Sequence, residues 1–360
     1  MGIIVFWAKI CFMHKFSLKK IFLFGVILSI YALSFQPTSA DFLEDIKNIV
    51  PLKKDLKLQF PVNCTLGEDC FILFYPDAYN TSRQADHKCG LRTFDQNQAT
   101  VITSHSIQQM LNGIAVLAAE DGKVTKVRKD SELSDDDNQY IKNSSENCGN
   151  QVIISHGQGW ETHYCFLKPD SILVSEKQLV KKGEQIAEMG SVGYTQSLPN
   201  LYFYVYHNNK AVDPFVGQMS YYACNTVQKP LWDTMIPYQS INIIGAGVDD
   251  RPINRDYITE FGGMHKNRIN STSKNFGFWI FVAGLLDGDE EIFEVYEPGG
   301  NLEHNYQGVI KNFKGFHYYI NAIEFDKPAK GFKKGTWKLR YLALRKSKPI
   351  LKIERIVEVI

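Results

Sequence analysis

Cys148-Gly-Asn-Gln-Val-Ile-Ile-Ser-His-Gly-Gln-Gly-Trp-Glu-Thr-His-Tyr-Cys165 is the stretch on which the fold turns. Gln151 to Ser155 is a short apolar run rich in β-branched residues, and Gly157-Gln158-Gly159 supplies turn chemistry before a second run begins at Trp160. This grammar predicts two short strands joined by a tight turn. The same pattern extends in both directions. Ile114 to Ala118, Lys123 to Val127 and Leu201 to Val205 read as further strands, with breaks at Asp121-Gly122 and Lys182-Gly183. From Cys64 to about Cys224 the chain is therefore expected to be almost entirely β, and from its length and apolar content the mature protein is expected to hold two domains.

Beyond Cys224 the text changes. Pro230, Pro237 and Pro252 mark a connection, and strand-like runs then resume at Phe276 to Val282, Ile292 to Tyr296, His317 to Ile320 and Trp337 to Leu344. Their spacing by Asp287-Gly288, Pro298-Gly299-Gly300 and Lys334-Gly335 predicts a small antiparallel β-sandwich over 233–360. Lys327 to Arg355 is rich in Lys and Arg; an anionic surface as partner and alternating charge on the outer face of a sandwich are both compatible with it, and the second is preferred.

The N-terminal end reads as an export signal. His14, Lys15, Lys19 and Lys20 precede the apolar run Ile21 to Phe35, and Thr38-Ser39-Ala40 is a small-residue exit. The apolar core is short against the roughly 20 residues of a membrane helix, so cleavage after residue 40 is expected rather than an anchor. Met13 heads a complete signal of its own, which leaves open whether translation starts at Met1 or Met13. Residues 41–63 are expected to form a helical segment or linker.

Charge and cysteine content narrow the class of partner. The chain carries 40 basic and 39 acidic residues; without the four lysines of residues 1–40 it leans slightly acidic, which argues against nucleic acid. The mature chain keeps six cysteines, Cys64, Cys70, Cys89, Cys148, Cys165 and Cys224. An even number suits an oxidising compartment. Cys64 with Cys70 reads as a local clip; Cys89 with Cys148 and Cys165 with Cys224 complete the expected set. No CxxC pair occurs, so a thiolate zinc site is disfavoured. Ser134-Asp135-Asp136-Asp137-Asn138 looks like the opening of a calcium loop but lacks its glycine and closing glutamate, and reads as a solvated loop.

The region from about Cys64 to Trp232 resembles the M23 (LytM-like) family of zinc endopeptidases, which cut the peptide cross-bridges of bacterial peptidoglycan. Asn112-Gly-Ile-Ala-Val-Leu-Ala-Ala-Glu-Asp-Gly-Lys-Val is similar to the family's "G-x-x-V-x-A-x-x-x-G-x-V" hairpin, and the opening stretch to "G-N-x-V-x-I-x-H-x-x-G-x-x-T-x-Y". Val180-Lys-Lys-Gly-Glu-Gln-Ile-Ala-Glu-Met-Gly-Ser-Val-Gly then resembles "V-x-x-G-Q-x-I-G-x-x-G-x-x-G", and Ala211-Val-Asp-Pro-Phe closes the unit. A biotinyl or lipoyl carrier shares one such hairpin, but no acceptor lysine tip occurs here. The resemblance implies an all-β architecture: an M23-type antiparallel β domain of the duplicated-hybrid-motif kind over 64–232, then the sandwich.

Active members hold zinc through "H-x-x-x-D" and the second histidine of "H-x-H", with auxiliary histidines beside the water. Three protein ligands and one open position let zinc bring a water's pKa to about 7. Aligned on the motif order, Asn97 and Val101 stand in place of "H-x-x-x-D", Phe166 at the auxiliary histidine, and Asn200 and Tyr202 at "H-x-H". All five positions have changed, and Val101 and Phe166 have no donor atom to offer.

Strand alternation, counted back from Phe166, puts Tyr164 and Thr162 on the cleft face and turns His163 and Cys165 away; Asn200, Tyr202 and Tyr204 share that face by the same rule. His87 reads as a loop residue, His156 as structural, and His105 as the one other histidine near the motif. The resemblance thus implies a non-catalytic envelope protein, with no cofactor. It would use Asn97, Thr162, Tyr164, Asn200, Tyr202 and Tyr204 as a cleft for peptidoglycan or a cell-wall hydrolase, or simply as packing. Two alternatives are an endopeptidase with a displaced zinc site and an envelope assembly protein acting through its C-terminal sandwich. No stable membrane span is expected after signal cleavage, and the location is periplasmic or secreted.

Overall fold

The computed structural model describes residues 56–129, 148–191, 198–219, 221–263, 265–311 and 318–360. The expected export signal, most of the segment 41–63 and the acidic stretch 134–138 lie outside these residues. The described residues belong to one compact unit made of two lobes.

The N-terminal lobe runs through β1 (Cys70–Phe74), β2 (Thr100–Ser104), α1 (Ile107–Leu111), β3 (Ala115–Leu117), β4 (Gly122–Arg128), β5 (Gln151–Gly157) and β6 (Trp160–Cys165). It continues with β7 (Leu179–Val180), β8 (Gln185–Glu188), β9 (Asn200–His207), β10 (Lys210–Asp213) and β11 (Gln218–Met219). The large sheet has the order β1-β2-β9-β6-β5-β4-β7, with β10 and β11 continuing from β9, while β3 and β8 pair separately. The opening stretch of sequence forms the β5–β6 hairpin as its turn residues dictate: Gly157, Gln158 and Gly159 all have positive φ, and Gln151 ends opposite Cys165.

One face of this sheet closes on the lobe's own core. Ile102, Val124, Val152, Ile154, Tyr164, Leu201 and Phe203 from the sheet pack with Val116, Ile186 and Met189 from the β3–β8 side. Residues 56–63, read as linker, belong to this core: Leu58 and Val62 are buried in it, and they bridge to Trp232 and Val116.

The C-terminal lobe is built from β12 (Asn242–Asp249), α2 (Arg255–Phe261), β13 (Arg268–Ile269), β14 (Asn275–Ala283), β15 (Glu290–Tyr296), β16 (Leu302–Val309), β17 (Tyr318–Asp326), β18 (Gly335–Arg345) and β19 (Lys348–Val359). A three-stranded sheet, β12-β14-β17, faces a five-stranded one, β13-β19-β18-β15-β16. Phe276, Phe278, Ile280, Phe293, Leu339, Tyr341 and Val357 fill the space between them. This is a sandwich as expected from the alternating strands. On the outer face of the larger sheet, Lys338 and Lys352 both pair with Glu354, and Arg340 pairs with Glu294. Lys338, Arg340 and Lys352 thus sit in a ladder of mixed sign.

The disulfides join Cys64–Cys70, Cys89–Cys224 and Cys148–Cys165. The first matches the local clip; the other two correct the expected pairing. The reason is hairpin geometry. The Gln151–Cys165 register places residue 148 beside the end of β6, where the Phe166 amide donates to the Cys148 carbonyl at 2.9 Å. Cys89 is left to Cys224, and the Asn225 amide donates to the His87 carbonyl beside that bond.

Candidate functional site

The second face of the large sheet carries the positions aligned with the zinc site. Tyr202 in β9 lies directly opposite Val101 in β2 and Cys165 in β6. The Phe166 ring meets the Tyr202 ring edge-on at 4.9 Å between centroids. Asn200, two residues back on β9, is buried on the same face. The aligned positions on β2, β6 and β9 therefore meet in space, as a shared site requires.

What they offer is not a coordination shell. Asn97 is buried and its side chain is committed: Nδ2 donates to the carbonyls of Tyr75 (2.8 Å) and Ala99 (2.9 Å), and Oδ1 accepts from the Ala99 amide (3.0 Å). Val101 and Phe166 are buried hydrocarbon. Asn200 Nδ2 donates to the Leu198 carbonyl at 2.7 Å, and only its Oδ1 is a buried acceptor without a hydrogen-bond partner. Burial pushes the Tyr202 hydroxyl up to about 12 and raises those of Tyr204 and Tyr206 as well, so these phenols stay protonated at neutral pH. One amide oxygen and neutral phenols do not fit a zinc ion, which takes imidazole, thiolate or carboxylate. Among the described residues, the one grouping of three suitable donor residues is Cys64, Asp69 and Cys70, and its two sulfurs are joined in a disulfide.

Two of the expected cleft residues are on the wrong side. Thr162 and Tyr164 are fully buried on the opposite face. There the Tyr164 hydroxyl accepts from the Ala119 amide at 2.7 Å and from the Thr162 hydroxyl at 3.1 Å. His163 and Cys165 take the cleft side instead, His163 lying 4.5 Å from the Tyr206 ring. The physical reason is the backbone at Phe166, whose φ is +61°. That left-handed residue ends β6, so Cys165 and Phe166 turn to the same face and counting by twos across the junction inverts the strand. The position is held by close packing: a Cβ on Gly190 would come within 2.5 Å of the Phe166 carbonyl oxygen.

The other histidines are accounted for locally. His156 bonds the Asp121 carbonyl and the Thr162 hydroxyl, each at 2.8 Å. His87 is buried and stacked on Phe215 at 5.0 Å, and burial pushes it down to about 4. His105 links the lobes, with Nδ1 2.5 Å from the Ile244 carbonyl oxygen and Nε2 against that of Glu68.

The same face is closed by the C-terminal lobe. Val101, Cys165, Phe166, Leu198 and Tyr204 form one buried cluster with Ile244, Trp279, Phe281, Ala283 and Tyr318 of the β12-β14-β17 sheet, and Tyr202 and Tyr206 pack against it. Trp279 is set where glycines leave room, since a Cβ on Gly263 would meet its indole at 2.5 Å and one on Gly245 at 3.0 Å. Arg92 bolts the seam. Its guanidinium is buried and donates to the carbonyls of Ile72 (2.6 Å), Leu73 (3.0 and 3.2 Å), Ser240 (3.3 Å) and Ala283 (3.4 Å). A cleft of about 510 Å³ opens nearby between Phe74, Leu91, Arg92, Leu285 and Leu286, but none of the five aligned positions lines it.

Sequence reading missed this closure, though a signal was present. Phe276 to Ala283 is apolar at every position but Gly277, without alternation, and every one of these residues is buried. An unbroken run of this kind marks a strand covered on both faces.

The comparisons with known proteins agree with the hairpin framework. The profile of Peptidase family M23 matches residues 106–214. Lipoprotein NlpD of Yersinia enterocolitica is 37% identical over 75 residues, 21% of this chain and 73% of that protein. The chain belongs to peptidase family M23. The murein hydrolase activator NlpD of Escherichia coli is 32% identical over 102 residues, 28% of this chain and 22% of that one. The peptidoglycan DD-endopeptidase ShyB of Vibrio cholerae is 37% identical over 101 residues, 28% of this chain and 20% of that one. The chain thus spans about a fifth of the length of these last two relatives. No helix among the described residues is long and apolar enough to cross a membrane.

Proposed function

We infer that this chain is a non-catalytic M23 protein of the bacterial envelope that regulates a cell-wall hydrolase. The observation that carries the reading is the closed face: the five aligned positions supply no ligand set, and the apolar sheet of the C-terminal lobe occupies the ground where a substrate peptide would lie. Without imidazole or carboxylate donors no zinc-bound hydroxide forms. With Val101, Asn200, Tyr204 and Phe166 buried, the groove is also a poor place to hold a glycan or peptide. Contact with a hydrolase through other surfaces is therefore favoured over peptidoglycan binding in the groove, and the likeness to a murein hydrolase activator supports the same choice. Export to the periplasm or beyond fits the basic and apolar N-terminal stretch and three disulfides, which persist outside a reducing cytosol.

Two measurements on the purified mature protein test this. Metal analysis is expected to find no stoichiometric zinc, with no cleavage of purified peptidoglycan; addition of the protein to a cell-wall amidase is expected to change the amidase's rate. An endopeptidase with a displaced site predicts the reverse, one zinc per chain and release of cross-link peptides, and that result would sink the proposal.

A further inference from the structure

The fold protects its sheet edges unevenly. β1, at one end of the large sheet, is buried along its length, and the Arg92 and Asn242 side chains donate to its Ile72 carbonyl. β12 is tied by the Arg355 side chain on the Ala246 carbonyl and by Lys266 and His265 on either side of the Val248 peptide. β7 and β13 are two residues long. β17 is half-buried from Tyr319 to Ile323.

β16 has a lesser protection, a register shift against β15 that leaves Glu303 as an extra residue, while His304 to Val309 pair regularly. Among the described residues it ends the five-stranded sheet and is paired on one side only, to β15. All its residues are exposed except the half-buried Gly308. Leu302, Tyr306 and Val309 are 49%, 44% and 50% exposed. Leu302–Val309 contains no lysine, arginine or proline, the residues with which natural edges repel a further strand, and Glu303 is its one acidic group.

We propose that β16 pairs antiparallel with β16 of a second copy of this chain, joining two five-stranded sheets across a two-fold axis. Unpaired main-chain N–H and C=O groups on an eight-residue edge are best met by another extended strand, and the strand itself is compatible with its own copy. Opposed residues must point to the same side of the sheet, so within the regularly paired His304 to Val309 the two residue numbers must sum to an even value. The two central registers that satisfy this place either Asn305 or Tyr306 on the axis. Glu303 is the one acidic residue of the strand and stands away from the axis in both, so no like carboxylates oppose in either. The edge lies in the C-terminal lobe, away from the closed M23 face, and the pairing does not depend on the function proposed above. A strand pair of this size is below a standard stable interface, so association is expected to depend on concentration.

Sedimentation of the full mature chain over a concentration series tests the pairing. The parent is expected to shift from monomer to dimer, and Tyr306→Lys, which brings two ammonium groups opposite each other in one register and diagonal in the other, is expected to weaken association by at least about tenfold. Ile356→Lys, on the outer face of β19 and off the edge, is expected to leave it unchanged. In parallel, Asn305→Cys or Tyr306→Cys is expected to cross-link to its own copy under mild oxidation, because opposed Cα atoms in an antiparallel pair lie within disulfide reach. Leu302→Cys, roughly 20 Å or more from its copy in either register, is not. A parent that stays monomeric at every concentration overturns the proposal. So does a dimer indifferent to Tyr306→Lys, or one that cross-links at neither 305 nor 306.

Discussion

The two faces of β9 make an instructive pair. Leu201, Phe203 and Val205 look into the lobe's own core, while Asn200, Tyr202, Tyr204 and Tyr206 look toward the C-terminal sheet. The first face keeps the hairpin framework of the family and needs nothing from the rest of the chain. The second face packs against the C-terminal sheet, whose strands β12, β14 and β17 are 8 or 9 residues long.

If the cover is a true core, a charge placed in it is ruinous. Trp279→Asp is expected to cost about 5 kcal/mol or more, or to prevent folding, because it loses a large buried ring and buries an unpaired carboxylate. Trp279→Ala gives a milder measure, about 3–5 kcal/mol in urea unfolding. A soluble Trp279→Asp protein with full stability would show that the lobes do not depend on each other and break the comparison.

Arg92 tests the seam by hydrogen bonding rather than packing. Arg92→Met keeps much of the aliphatic volume and orphans backbone carbonyls on both sides, with an expected loss of about 2–4 kcal/mol. Unfolding that becomes biphasic in this variant would mean that the seam is what makes the lobes melt together.

Asp213 probes the first face's side of the lobe, away from the cover. It is fully buried, accepts from the Phe215 amide at 2.8 Å and from the Tyr222 hydroxyl, and burial pushes it up to about 7. The unfolded chain ionises this group near 4, the folded one near 7. Its contribution to stability is therefore complete below about pH 4 and is lost as pH rises through 7. His87, pushed down to about 4 by burial, acts in the opposite sense, its contribution being present above about pH 6.5 and lost as pH falls toward 4. Asp213→Asn is expected to match the parent at pH 4 and to exceed it at pH 8, by at most about 4 kcal/mol. Equal urea midpoints at both pH values would refute this.

The smallest effect belongs to the outer ladder of the sandwich. Lys338→Ala removes a half-exposed partner of Glu354 and is expected to change stability by less than about 1 kcal/mol, falling further with added salt.

Legibility in the sequence followed how local the determining physics was. Strand runs, glycine turns and motif spacing are properties of neighbours, and the β5–β6 hairpin and the M23 framework could be read from them. The clip Cys64–Cys70 is local in the same way. The longer disulfides depended on which hairpin ends meet, and the parity of Thr162 and Tyr164 on one positive φ at Phe166. Neither is written in a residue's identity.

By itself, then, the sequence determined that this is an all-β M23 chain, since strand runs, turn glycines and motif spacing are properties of neighbouring residues. Only the tertiary structure decided that the second face of its large sheet is shut. That outcome depends on which distant apolar strand finds which surface, and the hydrophobic effect, which drives it, is indifferent to direction and to separation along the chain.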